Sequence, residues 1–133
     1  MKPVDMLVQH DPPDAIGDCF RCVVASIFEL PAEEVPHFGQ YDWGEDGERG
    51  RTALREWLVP RGFYYLDVEW TAEQIVNWEP VFQFHHLMSG LSARGTRHAC
   101  VGYGGKVVHD PHPSRSGIMP DDGKYLIGMF VKR

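Results

Sequence analysis

Polar and apolar positions along this chain follow a helical rhythm in its first half and a strand rhythm in its second. Phe20, Val23, Val24, Ile27 and Leu30 recur at the spacing of one buried helix face. Gly17-Asp18 signals the start of that helix and Pro31 its end. Ahead of it, Val4 to Gln9 reads as a short strand or extended arm, broken by His10-Asp11-Pro12-Pro13-Asp14. Beyond it, Ala32 to Pro36 reads as a further short turn of helix. A polar, glycine-rich loop from Gly39 to Gly50 then carries Tyr41 and Trp43 among acidic residues. Glu48 to Val59 forms a second predicted helix with Leu54, Trp57 and Leu58 inward, closed by Pro60-Arg61-Gly62.

From Phe63 the rhythm changes. Phe63 to Trp70 is aromatic and rich in strand formers, and Thr71 stands as N-cap to a short helix reaching Val76. Val81 to Met88, Thr96 to Gly102, Lys106 to Asp110 and Lys124 to Val131 read as strands parted by Gly, Pro and Ser. Helices first and strands afterwards predict an α+β fold, one antiparallel sheet with helices packed on it, and residues 1–133 as a single domain.

Composition narrows the function classes. With 43% hydrophobic and 24% charged residues, the chain has ordinary globular content. A formal net charge of −6 speaks against a partner held by nucleic-acid phosphates. No apolar run reaches membrane-spanning length, and Met1-Lys2-Pro3-Val4-Asp5 lacks the apolar core of a signal peptide. Three cysteines do not make a disulfide framework, so a reducing, cytoplasmic setting is expected.

The chemistry-bearing residues are Cys19, His98 and Asp110. Cys19 stands at a predicted helix mouth, where unpaired N–H groups and the positive dipole end favour thiolate, although a free cysteine is as often a small buried hydrophobe. Arg97 to Asp110 has the pattern of a hairpin through Gly104-Gly105. A two-residue loop would pair Tyr103 with Lys106 and put Asp110 on the face opposite His98. A three-residue loop would pair Gly102 with Lys106 and set His98 directly across from Asp110. The second register is the preferred expectation, because orienter, base and nucleophile then form an activated-nucleophile triad.

The ordered segments carry a resemblance. Gln9 precedes the turn and Gly17-Asp18-Cys19 opens a helix, followed by Leu30 to Pro36. Ser89-Gly90 and Ser92-x-Arg94-Gly95 then lead to Arg97-His98 and to His109-Asp110-Pro111-His112-Pro113. In that order the chain resembles the papain-like cysteine peptidases, of the compact bacterial and phage type related to the C39-like and NlpC/P60-like groups. The resemblance implies a papain-like fold and a thiol peptidase or amidase. It implies Cys19 as nucleophile, His98 as general base and then acid, and Asp110 as the group that holds the imidazole. It also implies Gln9 as an oxyanion-hole residue. A peptide or protein substrate is expected, with Trp43, His112 and Arg115 as candidate contacts, and no cofactor or metal is called for. Arg94, Arg97 and Arg115 add local positive charge suited to an anionic substrate tail.

Rival readings use the same residues. Cys19-Phe20-Arg21-Cys22 is a CxxC at a helix start, as in redox proteins, but a Pro-rich turn precedes it rather than a strand. Cys19 and Cys22 with His85, His86, His98, His109 or His112 would make a zinc site, but those histidines lack the usual ligand spacing. A papain-like domain serving as a non-catalytic binding or inhibitory module is the third reading.

Overall fold

The computed structural model describes residues 1–41 and 47–133. Its elements in chain order are α1 (Cys19–Phe28), α2 (Gly47–Leu58), β1 (Phe63–Thr71), α3 (Ala72–Trp78), β2 (His85–Leu91), β3 (Arg97–Tyr103), β4 (Lys106–His109) and β5 (Lys124–Lys132). The five strands make one antiparallel sheet in the order β1-β5-β2-β3-β4, so the fold is α+β. Among the described residues, no helix is long and apolar enough to cross a membrane.

Alternation along the strands divides the core between the two faces of the sheet. On one face Leu87, Ala99 and Val101 pack with Val23 beneath α1. Next to them Val24, Ala25, Phe38, Leu54, Trp57 and Leu58 join α1 to α2. The rings of Trp57, Phe63 and Phe130 meet Phe28 edge-on at 5.8, 4.8 and 5.3 Å, binding both helices to β1 and β5. On the opposite face Ile75 of α3 and Phe82 cover Met88 and Ile127.

Several boundaries differ from the sequence expectation for local reasons. The first helix stops at Phe28 because Glu29 turns left-handed (φ 57°) and Leu30 N–H bonds back to the Ala25 carbonyl at 2.9 Å. Val4 to Gln9 joins no strand. Its backbone runs as an arm, with Lys2 N–H on the Ser26 carbonyl and Val4 N–H on Ser26 Oγ, both at 2.9 Å. The strand expected from Val81 begins at His85, after a 3₁₀ turn at Glu79–Val81 that carries Pro80. Thr71 does cap α3, in a reciprocal box with Gln74.

Candidate active site

The approach to α1 is built to expose its first residue. Asp11 and Ala15 exchange backbone hydrogen bonds at 2.9 Å, and Gly17 N–H donates to His10 Nδ1 at 3.1 Å. A side chain at Gly17 would place its Cβ 2.8 Å from His10 Cβ, so this close return of the chain requires glycine. Asp18 occupies the N-cap yet does not cap its own helix. Its fully buried carboxylate accepts the Val8 N–H at 3.0 Å and the Leu7 N–H at 3.3 Å, and pairs with the Arg21 guanidinium at 2.8 Å. The arm that carries Gln9 is thereby fastened across the helix mouth. Cys22 lies beneath the arm, wholly buried, with its thiol 3.4 Å from the Asp5 carbonyl. Burial pushes that thiol up to about 12.

Cys19, by contrast, is half-buried and opens into a cleft of about 250 Å³ that Gln9, His98, Ala99 and His112 also line. Burial pushes the Cys19 thiol up from its ordinary value. The N–H groups of Ala99 and Phe20, turned towards the sulfur, pull it down but do not prevail. The helix mouth alone therefore does not produce a resting thiolate, contrary to the expectation from sequence. Among the described residues, no hydrogen bond joins Cys19 to His98; they share the cleft.

The imidazole is held firmly. His98 is 4% exposed, and its Nε2 lies 2.6 Å from Asp110 Oδ1. An ionised carboxylate only accepts, so Nε2 carries the proton and Nδ1 is the ring atom left for another partner. Asp110 also takes the His112 N–H at 2.9 Å and the Gly117 N–H at 2.7 Å. Burial works against its charge, but these donors outweigh burial and hold the carboxyl below its usual range.

The expected hairpin register is not the observed one. Beside the turn, Tyr103 pairs with Lys106 and Gly102 with Val107, the two-residue-loop register. Left unbroken, it would turn Asp110 away from His98. A bulge intervenes: Val101 pairs with His109, so Val108 is an extra residue that shifts the alternation by one. Asp110 returns to the face of His98 and Cys100, and the side-chain contact is made without the pairing that had been expected to produce it.

The remaining sequence candidates separate. Gln9 is exposed and lines the cleft. His112 lines it too, its ring 6.1 Å from that of His98 and its Nδ1 2.8 Å from Ser114 Oγ. Arg115 does not line the cleft. Its guanidinium grips both Asp5 oxygens at 2.7 and 2.8 Å and donates to the Asp110 carbonyl at 2.6 Å, clamping the arm to the loop that supports Asp110. Trp43 lies outside the described residues. Neither Cys19 nor Cys22 belongs to a metal-ligating trio among the described residues. Among the described residues, the only trio within ligating reach is His98, Cys100 and Asp110.

Sequence reasoning missed Asp18 and the two backbone donors to Asp110. The spacing of Asp18 from Arg21, one helical turn apart, was the legible signal for the first. Gly117, at φ 75°, marks the tight bend that delivers one of the donors. Comparison with protein families, with curated proteins and with solved structures returns no match to this chain.

Proposed function

We propose that this protein is a cysteine-dependent hydrolase or acyl transferase of papain-like type, acting on a peptide or amide bond in a reducing, cytoplasmic setting. One observation carries the reading. A helix-start cysteine and an imidazole locked at 2.6 Å to a buried carboxylate open into one cleft. His98 takes the Cys19 proton at Nδ1, and the thiolate attacks the carbonyl carbon. The C–N bond then breaks as His98 returns the proton to the departing amine. Water or a second amine next attacks the acyl-enzyme with His98 again as base, which frees the acid or new amide and restores the thiol. Asp110 holds the imidazole in the tautomer this requires and steadies the imidazolium. The Cys19 N–H and the Gln9 amide are the donors offered to the oxyanion.

The raised thiol and the missing Cys19–His98 hydrogen bond favour a second reading, a papain-like module that binds without turnover. Peptidyl electrophiles varied in the residue before the reactive carbon separate the two. Intact mass should show a single adduct on Cys19, lost in Cys19→Ser and retained in Cys22→Ser. A protein that binds such peptides yet forms no adduct is the module.

A further inference from the structure

The charge lining the cleft runs opposite to that of the chain. The protein carries a formal net charge of −6, yet Arg94 and Arg97 stand among the cleft's described lining residues and no Asp or Glu does. The two arginines are differently committed. Arg97 is paired with Asp121 at 2.9 Å and reaches Ser89 Oγ at 3.2 Å. Arg94 sits exposed on the turn between β2 and β3. Its backbone N–H donates to Ser92 Oγ at 3.2 Å, and among the described residues its guanidinium makes one long hydrogen bond, 3.4 Å to Ser114 Oγ. Among the described residues no carboxylate lies within ion-pair distance of it. Asp18 is spent on Arg21 and the arm, and Asp110 lies behind His98. Burial, and then Arg94 itself, lower the affinity of nearby His112 for a proton. The Ala99 and Phe20 N–H groups also point into this region, at the positive end of α1.

We infer that the cleft selects substrates bearing a carboxylate beside the bond attacked at Cys19, and that Arg94 is the residue that reads it. The inference rests on the hydrolase reading and adds the substrate class to it. A carboxylate of this kind has two sources, the free C-terminus of a short peptide or the side chain of an acidic residue next to the scissile bond. A guanidinium serves either through paired N–H donors.

Two small alkylating agents with the same leaving group test the charge preference at Cys19 itself: anionic iodoacetate and neutral iodoacetamide. The ratio of their rates, iodoacetate over iodoacetamide, should exceed the ratio for free cysteine. It should fall about fivefold in Arg94→Gln, the effect of one nearby unit charge in a wet cleft. Arg94→Lys should restore most of it. His98→Ala should lower both rates together and leave an Arg94 dependence of the ratio in place, so failure of the catalytic reading and failure of this inference look different. Peptidyl electrophiles then identify the source. One pair compares a free carboxylate with a carboxamide beyond the reactive carbon, and the other compares Glu with Gln before it. A preference in either pair that vanishes in Arg94→Gln supports the inference and names the source. A rate ratio unmoved by Arg94→Gln, or no preference in either pair, overturns it.

Discussion

Asp110 is the residue on which the geometry turns. It accepts from His98, His112 and Gly117 while only 5% exposed, so each donor loses its partner if the carboxylate is removed. Asp110→Ala should destabilise the fold by about 3–5 kcal/mol, as for a broken buried pair, measured by urea unfolding. Since its carboxyl is held below the ordinary range, its contribution is fully present above the unfolded value and fades as pH falls through the folded one. Acid unfolding of the wild type should therefore steepen below about pH 4, and that component should be absent in Asp110→Asn. His86 has a dependence of the same sign in a higher pH window. It is fully buried, with Nδ1 on the Leu87 carbonyl and Nε2 accepting the Gly105 N–H, and burial lowers its affinity for a proton. Its folded value lies below its unfolded one, so stability is complete above about pH 6.5 and declines as pH falls. Thermal melts from pH 8 to pH 5 should show a decline that His86→Gln reduces.

At the scale of elements, the arm and the loop after β4 act as one clamp. Asp18 fastens the arm to α1, and the Asp5–Arg115 pair fastens it to the loop behind Asp110. Asp18→Ala leaves Arg21 and two arm N–H groups unpaired, costing about 3 kcal/mol. Hydrogen exchange should locate the loss at Leu7 and Val8 before it reaches α1. The contrast between helices and hairpin explains what was readable in the sequence. The apolar spacing of Phe20 to Leu30 and the Thr71 cap are local signals, and both helices formed there, although α1 ends at Phe28, short of the expected stop at Pro31, and α3 runs on to Trp78. The bulge at Val108 has no such signal: it shows only in the pairing of β3 with β4. The His98–Asp110 contact was therefore anticipated while the register that makes it was not. Likewise Arg115, read as a substrate contact from its charge, proved to be tied to a residue 110 positions away. Sequence spacing cannot show such a partner.

Across the whole molecule, β3 carries His98, the loop after β4 carries Asp110, and α1, packed on β2 and β3, brings Cys19 to the same cleft. The packing of α1 on β2 and β3 through Val23, Leu87, Ala99 and Val101 therefore sets how Cys19 stands relative to His98. The α+β class was legible because it is written in local patterns. The electrostatics of Cys19 were not, because burial reverses what the helix mouth alone would give. The decisive measurement is the rate of Cys19 alkylation by iodoacetamide from pH 5 to pH 9, in wild type and His98→Ala, with the site assigned by peptide mass. A working nucleophile–base pair predicts labelling near neutral pH that outpaces Cys22 and Cys100 and falls by roughly 10²-fold without the imidazole. A rate that simply follows an isolated thiol, identical in both proteins across the range, contradicts the account.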